Sequence, residues 1–323
     1  MSKLRLTLAC GDYDFLRPLF NGSVTAPGID FNVLTMASPE RHGRMLRHEE
    51  FDVCELSLVG YLVARDRGCN YTAIPVFPHR RFRHSYMVKR TGGGIEKPAD
   101  LNGKRVALDT LQNSAGLWMR GILQDHYGVD LKSIDWWCQE EEDIPFEPAQ
   151  WMKVNRVPVG KNVDQMLLDG ELEAALYPEV LPSVRAGSPK VALLFPDPKA
   201  AEIDYYKKSG IFPIMHTVVV KNQVLEKSPW VALSLVQGFE RAKQVCFERM
   251  RDPRSFALVW VQDLMREQKE IFGADPWPYN LQDNRQALEA AVRYEYEQGM
   301  IRKKPELEEL FFPASLQRIQ QYV

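Results

Sequence analysis

The densest group of chemically active side chains lies at residues 78–85, which read PHRRFRHS. Three arginines, two histidines and one serine fall within these eight residues. Arginine binds carboxylates through paired hydrogen bonds, and histidine gains and loses protons near neutral pH. The segment therefore predicts that Arg80 and Arg83 anchor an acidic ligand, with His84 as an acid/base group and Ser85 as a further binding group. The alternative is a basic surface strand that pairs with acidic loops.

A second histidine stands in the segment GIFPIMHT at residues 210–217. Among apolar neighbours, His216 could simply be a buried, hydrogen-bonded core residue. Its position favours a functional interpretation, because the chain is expected to cross back between two domains here. Ligands of two-domain α/β proteins lie in the cleft at such crossings. His84 lies near the other crossing.

Further polar residues follow predicted strands, where ligand sites of α/β proteins form. Glu55 and Ser57 end one strand; the Glu55 charge is unusual in an apolar run, and a salt bridge to an arginine is its alternative role. Asn113 and Ser114 open a helix, whose N-terminal N–H groups and dipole attract anions. An N-cap alone is the other interpretation. Asp12 follows the first strand as a cap, a turn residue or a further ligand group.

The elements that must position these residues alternate between strand-like and helix-like patterns, which favours parallel sheets covered by helices. A glycine run at 92–94 marks the start of a second unit, and the last third of the chain is mostly helical. The predicted strands are 4–9, 31–34, 51–56, 103–109 and 174–177. The predicted helices are 58–65 capped by Ser57, 114–127 capped by Ser114 and stopped by Gly128, 163–168 ended by Gly170, one after Ser228-Pro229, 255–272, 284–300 and 314–323.

Composition excludes several classes of protein. The 323 residues carry 41 Lys and Arg against 43 Asp and Glu, a formal net charge of −2, so no basic field favours nucleic acid or an anionic membrane. The start lacks an export signal and no stretch is apolar enough to span a bilayer, which predicts a cytoplasmic protein. Five scattered cysteines argue against a disulfide framework or a zinc site. Nucleotide-binding, metal-ligating and hydrolase signatures are absent, which predicts no cofactor and no metal.

Seven stretches, in chain order and over most of the chain, are similar to a known family: CGDYD (10–14), VFPHRRFRHS (76–85), GKRVALD (103–109), WMRGILQDHYGV (118–129), LFPD (194–197), YYKKSGIFPIMH (205–216) and SPWVALSL (228–235). They resemble the 4,5-dihydroxyphthalate decarboxylase family, whose members share the fold of type 2 periplasmic binding proteins. The resemblance implies a two-domain α/β fold with the ligand cleft between the domains and a helical C-terminal part. Residues 1–88 and 213–323 are then one discontinuous domain, and residues 89–212 are inserted.

The resemblance also implies an activity, a step in the breakdown of phthalate-like aromatic compounds. This is cofactor-independent decarboxylation of a hydroxylated aromatic dicarboxylate, 4,5-dihydroxyphthalate to protocatechuate or a close analogue. A non-catalytic binding protein for a small aromatic or heterocyclic acid is the main alternative, and a metal-assisted lyase is another. A small aromatic carboxylate is the expected partner, with neither nucleic acid nor membrane. A homo-oligomer is left open.

Direct loss of CO2 would leave an aryl carbanion that the ring cannot delocalise, so protonation of the ring carbon must come first. His84 and His216 are the expected acid/base residues. Glu55 would polarise a phenol or orient a histidine, and Arg80 and Arg83 would hold a carboxylate. The other substrate-binding candidates are Asp12, Ser57, Ser85, Asn113 and Ser114.

Overall fold

The computed structural model describes residues 3–316, whose strands form two sheets. Short 3-10 helices lie among the main elements, one of them at His84–Tyr86. The strands are β1 (Leu4–Cys10), β2 (Ile29–Thr35), β3 (Val53–Ser57), β4 (Tyr71–Arg80), β5 (Met87–Arg90), β6 (Arg105–Leu108), β7 (Asp135–Cys138), β8 (Lys153–Arg156), β9 (Ala174–Leu176), β10 (Val191–Leu193) and β11 (Ile214–Lys221). The α-helices are α1 (Arg17–Phe20), α2 (Ser38–His48), α3 (Leu58–Asp66), α4 (Ser114–Tyr127), α5 (Val163–Asp169), α6 (Pro182–Arg185), α7 (Pro198–Ser209), α8 (Asn222–Lys227), α9 (Trp230–Met250), α10 (Val261–Phe272) and α11 (Arg285–Glu297).

The first sheet has the strand order β2-β1-β3-β11-β4. β1 runs parallel to β2 and β3, whereas β11 is antiparallel to both of its neighbours, β3 and β4. β4 contains Pro75 and Pro78, which cannot donate to a neighbouring strand, and its register with β11 shifts there. After the shift, His79 stands opposite His216. The irregular pairing therefore brings two histidines from distant parts of the chain together.

The second sheet has the strand order β10-β5-β9-β6-β7-β8. The strands β9, β6, β7 and β8 are mutually parallel, and β5 is antiparallel to both β9 and β10. Helix α4 follows β6 but packs against the first sheet, since the indole nitrogen of Trp118 donates to the carbonyl oxygen of Ile214 at 2.8 Å. The two sheets are thus held together beside the start of β11.

The sequence-based alternation of strands and helices is confirmed by these two largely parallel, helix-covered sheets. Ser57 caps α3 by accepting a hydrogen bond from the Gly60 N–H, as expected. Gly128 ends α4 in the left-handed region at φ 67°, which glycine adopts without steric cost. Gly170 ends α5 in the same way.

Several predicted helix starts are corrected. Pro229, not Ser228, occupies the cap position of α9. The helix predicted from 255 begins only at Val261, because Asp252 and Pro253 form a separate 3-10 turn in which Asp252 accepts from the Arg254 N–H. The helix predicted over 284–300 covers Arg285–Glu297. Of the helix predicted over 314–323, residues 313–316 form a 3-10 turn and residues 317–323 lie outside the described part of the chain.

The helical C-terminal part packs partly on the first sheet and partly on other helices. Helix α9 packs on the first sheet through buried residues such as Leu235 and Phe239. Helix α11 packs on α3 and α4, where the Tyr294 ring lies over the Gly121 backbone and edge-on to Trp118. A side chain on Gly121 would overlap that ring. The domain boundaries at 88/89 and 212/213 remain a prediction.

Candidate active site

The carboxylate of Glu55 is the centre of a fully buried polar group in the first sheet. Its oxygens accept hydrogen bonds from the Gly11 N–H at 2.7 Å, the Tyr13 hydroxyl at 2.7 Å and the Cys10 thiol at 3.3 Å. Arg41 forms a salt bridge with it at 2.9 Å, and the His216 Nδ1 lies 2.5 Å from its Oε1. These five partners compensate the charge of Glu55, whose burial would otherwise cost free energy.

Four elements supply this group. Glu55 lies in β3 and His216 in the adjacent β11, while Arg41 lies in α2. Tyr13 comes from the turn after β1, and its ring passes so close to Gly11 that any side chain there would clash. The glycine in CGDYD is therefore required by the approach of the tyrosine to Glu55.

The charges around Glu55 fix its ionisation. Burial alone would raise its pKa, but Arg41, His216 and the Tyr13 hydroxyl outweigh it and hold the pKa of Glu55 well below its usual value. An ionised carboxylate only accepts hydrogen bonds. The His216 Nδ1 must therefore carry the proton and donate it to Glu55, which leaves the lone pair on Nε2.

Two further histidines touch His216. The His79 ring lies edge-on to it with 4.5 Å between centroids, and the His42 ring with 4.7 Å. Burial lowers the pKa of all three histidines, to about 2 for His79, and the proximity of His216 lowers those of its two neighbours further. Three rings in contact cannot all carry a positive charge. His216 is consequently a neutral base at neutral pH, oriented by an anion.

Arg83 is a buried cation between the two sheets. Its side chain donates to the carbonyl of Pro178, which follows β9, at 2.9 Å, and to the thioether of Met215 in β11 at 2.9 and 3.2 Å. Burial lowers the pKa of Arg83 only to about 10, so the guanidinium stays charged. Among residues 3–316 it forms no salt bridge with a carboxylate, and sulfur is a weak acceptor. An anionic ligand would supply the missing charge.

Arg80, the other predicted anchor, forms its hydrogen bonds with the protein itself. Its guanidinium donates to the backbone carbonyls of Phe212 and Pro278 and to the Asn284 side chain. The side chain therefore ties β4 to the segment before α11 and is buried there. These contacts engage the guanidinium within the protein, and substrate binding by Arg80 stays a prediction.

His84 is not part of the Glu55 group. It lies in the 3-10 helix after β4, where its Nε2 is 3.1 Å from the Tyr127 hydroxyl and its ring packs against Phe195 and Tyr205. Burial lowers its pKa to about 4. The structure thus brings Glu55 and His216 together and places His84 in a separate aromatic cluster. Ser85, in the same 3-10 helix, is half-buried.

Two side chains of the protein accept hydrogen bonds from backbone N–H groups at and before the start of α4. Asn113, not Ser114, is the cap and accepts from the Gly116 N–H, while the carboxylate of Glu142 accepts from the N–H groups of Leu111 and Gln112. Asn113 therefore caps the helix, and its predicted role as a substrate ligand stays a prediction.

Ser57 and Ser114 form a contact between the sheets. Their hydroxyl oxygens lie 2.9 Å apart, and Ser114 donates to the carbonyl of Met215 at 2.7 Å. The pair fixes the start of α4 against β11 beside His216. Asp12 lies on the surface in a salt bridge with Arg17, and its role as a substrate ligand stays a prediction.

The sequence reasoning missed Arg41 and His42 and did not select His79. A faint signal existed for Arg41, because it shares a helix face with the apolar Met45 one turn later. Nothing in the sequence indicates that α2 packs against β3.

Within residues 3–316, no group of three or more His, Cys, Asp or Glu side chains is arranged to hold a metal ion. In the same part of the chain, no helix is long and apolar enough to cross a membrane.

Two curated proteins match the chain. It is 34% identical to the 4,5-dihydroxyphthalate decarboxylase of Comamonas testosteroni over 98% of its own length and 99% of that protein. It is 36% identical to the 4,5-dihydroxyphthalate decarboxylase of Pseudomonas putida over 64% of its length and 83% of that protein. A family model described as "ABC transporter, phosphonate, periplasmic substrate-binding protein" matches residues 18–151.

Solved structures confirm the predicted fold class. The chain superposes on the periplasmic aliphatic sulphonate binding protein SsuA from Escherichia coli with a TM-score of 0.58 at 13% identity, over 98% of this chain and 100% of that one. A Candida albicans protein exhibiting the generic periplasmic binding protein fold gives a TM-score of 0.51 at 14% identity, over 99% of both chains. At these identities the likeness establishes the fold alone.

Proposed function

Since the chain belongs to the 4,5-dihydroxyphthalate decarboxylase family, we propose that it converts 4,5-dihydroxyphthalate, or a close analogue, to CO2 and the corresponding monocarboxylate. The observation that most supports this proposal is the buried Glu55–His216 pair. A protein that only binds a small acid needs anchors and stacking surfaces. An oriented, neutral histidine backed by an ionised carboxylate is in addition equipped to move a proton.

The reaction needs a route around the aryl carbanion. Removing the proton of the ring hydroxyl para to the departing carboxylate pushes electrons toward the carbon that bears it. That carbon can then accept a proton, after which the carbon–carboxyl bond breaks, CO2 leaves and the ring regains aromaticity. His216 is the base in this scheme, because its Nε2 lone pair can take the hydroxyl proton. The same proton returns to the oxygen at the end of the cycle.

Glu55 is a positioning residue in this scheme. Its oxygens are engaged by the five groups described above and it is shielded from solvent, so it acts on the substrate through His216. Its negative charge stabilises the imidazolium that forms when His216 takes the proton. Of the two alternatives for Glu55, orienting a histidine fits this arrangement and polarising a phenol does not.

Arg83 is the proposed anchor for the carboxylate that remains on the ring. It is charged, buried and bonded only to neutral acceptors. A carboxylate bound there would replace a thioether with a charged acceptor, a hydrogen bond worth roughly 1.5–3 kcal/mol. Arg83 also lies close enough to His216 for its positive charge to lower the pKa of that histidine.

A direct assay tests the proposal. Purified protein is incubated with 4,5-dihydroxyphthalate in the presence of EDTA and without added cofactor, and CO2 is measured. Phthalate, which lacks the ring hydroxyls, is the matched compound: it should bind at Arg83 and release no CO2. We expect turnover of the dihydroxy compound alone. Binding of both compounds without CO2 release would support the non-catalytic alternative, and activity restored only by a divalent metal would overturn cofactor independence.

The cellular setting of this reaction remains a prediction. We propose a cytoplasmic enzyme whose partner is the small aromatic substrate. Fractionation of the source cells, with the activity assayed in each fraction, tests the location. Activity confined to a periplasmic or membrane fraction would contradict it.

A further inference from the structure

A second carboxyl group lies on the opposite sheet at a position suited to ligand binding. Asp109 directly follows β6, and Tyr177 directly follows the neighbouring parallel strand β9. The carboxyl ends of parallel strands are where ligands of α/β proteins bind. The Tyr177 hydroxyl lies 3.4 Å from the Asp109 carboxylate, a long and weak contact that a ligand can replace.

Two contacts connect this strand edge to the site around His216. Arg83 donates both to Pro178, the residue after Tyr177, and to Met215, the residue before His216. Ser114, five residues after Asp109, donates to the Met215 carbonyl. The segments that hold Asp109 and His216 therefore meet at Met215, from opposite sheets.

The charged groups near Asp109 are negative, whereas the charged groups in contact with Glu55 include the positive Arg41. Burial, followed by the charges of Glu140, Glu142 and Glu179, raises the pKa of Asp109 to about 6, although the Tyr177 hydroxyl opposes this. Glu140 is held close, because its N–H donates to the Asp109 carbonyl at 2.9 Å. The neighbouring groups thus favour the protonated acid.

We propose that Asp109 is the general acid that protonates the ring carbon of the substrate, a role that rests on the decarboxylation proposed above. His216 removes the para hydroxyl proton, and the Asp109 O–H bond breaks as the ring C–H bond forms. The carbon–carboxyl bond then breaks and its electron pair returns to the ring. His216 gives its proton back to the phenolate oxygen, and water reprotonates Asp109. Substrate anion plus one proton yields product and CO2.

The first test is Asp109→Asn, with Asp109→Glu as the conservative variant. Loss of the acid should lower kcat by about 10²–10⁴-fold, and glutamate should restore part of it. Phthalate affinity, measured by calorimetry, should stay within about threefold of wild type, since Arg83 supplies the anchor. Retained phthalate binding also reports that the variant is folded. A wild-type kcat in Asp109→Asn would overturn the proposal.

The pH profile of kcat/KM separates an acid from a merely structural carboxyl. The value of kcat/KM should fall as pH rises above about 6, because Asp109 of the substrate-free enzyme loses its proton there. Tyr177→Phe removes a bond to the ionised form, so the falling limb should move to higher pH. Glu140→Gln removes a repelling charge, so the limb should move to lower pH. Glu141→Gln, an exposed position in the same loop, is the control and should move nothing.

These outcomes distinguish the two proposals. If wild-type protein releases no CO2 from 4,5-dihydroxyphthalate, the proposed function fails. If it releases CO2 but the falling limb is unchanged in Tyr177→Phe, Glu140→Gln and Asp109→Asn, only the role of Asp109 fails.

Discussion

Glu55 and Asp109 are two carboxyl groups held by strands of opposite sheets, and their surroundings drive them to opposite states. Glu55 is fully buried, yet five donors including Arg41 and His216 keep its pKa low. Asp109 is only partly buried, yet burial and its acidic neighbours raise its pKa, because a single weak donor is all that opposes them. Burial raises the pKa of both carboxyls, and the sign and number of the groups in contact decide whether that rise is outweighed, as at Glu55, or reinforced, as at Asp109.

The difference divides the chemistry between the sheets. An anion that stays an anion orients and stabilises a histidine base, whereas a carboxyl whose pKa is raised to about 6 is protonated more often and can donate. Two titratable groups whose environments push their pKa values apart mark the base and the acid of a site. In the proposed mechanism the first sheet supplies the base, His216, and the second sheet supplies the acid, Asp109. Arg83 lies between them.

The largest expected effect is the loss of the base. His216→Asn removes the group that takes the hydroxyl proton, so kcat should fall by about 10²–10⁴-fold while KM changes much less. His48→Asn, at an exposed histidine of α2, is the matched control and should keep wild-type kinetics. A near-normal kcat in His216→Asn would show that the Glu55 group is only structural.

Glu55→Gln tests, through the free energy of unfolding, whether Glu55 is an anion in the folded protein. It leaves Arg41 buried without a counter-charge, and breaking a buried pair in this way costs about 3–5 kcal/mol of unfolding free energy. Asp12→Asn breaks the exposed pair with Arg17 and should cost less than about 1 kcal/mol. Urea denaturation measures both. Equal losses would contradict the idea that the first sheet holds a permanent anion.

Substitutions of Arg83 and Arg80 test which of the two arginines anchors the ligand carboxylate. Arg83→Gln should weaken phthalate binding by about 10- to 150-fold, the value of one charge-assisted hydrogen bond. Arg80→Gln should lower thermal stability and leave phthalate affinity nearly unchanged, because Arg80 is engaged by Phe212, Pro278 and Asn284. Calorimetry with phthalate checks both variants. Weakened phthalate binding in Arg80→Gln, with unchanged binding in Arg83→Gln, would identify Arg80 as the anchor.

The smallest expected effect is on the pH dependence of stability. Acid should destabilise the fold through the histidines around Glu55 and stabilise it through Asp109. His42, His79 and His216 have folded pKa values below that of unfolded histidine, so the unfolded chain binds more protons below pH 6.5. Unfolding free energy should therefore fall as pH drops below 6.5, by about 1.4 kcal/mol per pH unit for each histidine that stays neutral in the fold. Asp109, whose folded pKa is raised, works the other way between pH 6 and 4.

Asp109→Asn should consequently steepen this loss of stability. Urea denaturation at several pH values, on wild type and on Asp109→Asn, measures the difference. Identical slopes, or a wild-type stability that does not change below pH 6.5, would contradict the assigned protonation states.

The sequence predicted the fold better than the site. Alternating patterns and clear caps such as Ser57 and Gly128 specify helices and strands locally, so the α/β organisation could be predicted. The shorter strands β5 and β10 carry little pattern of their own. The site depends on long-range pairing: Glu55 and His216 are 161 positions apart, and their contact exists only because β11 inserts next to β3.

Local reasoning failed where a side chain faces a distant segment. Arg80 and His84 have the residue types of an anchor and an acid, but β4 ends at Arg80 and the following turn directs them into separate structural contacts. Asp109 looked like the plain end of a strand, since its acidic neighbours come from other loops. Residue type indicated the chemistry, and tertiary packing decided which residues can perform it.

The most direct test of the opposed carboxyl groups is a carbon-13 NMR titration of the side-chain carboxyls between pH 8 and 5, with Asp109→Asn as the assignment variant. We predict one carboxyl that titrates near pH 6 and is lost in Asp109→Asn, while the Glu55 signal stays at the ionised position throughout. An Asp109 signal that remains ionised down to pH 5, or a Glu55 signal that titrates within this range, would contradict the account.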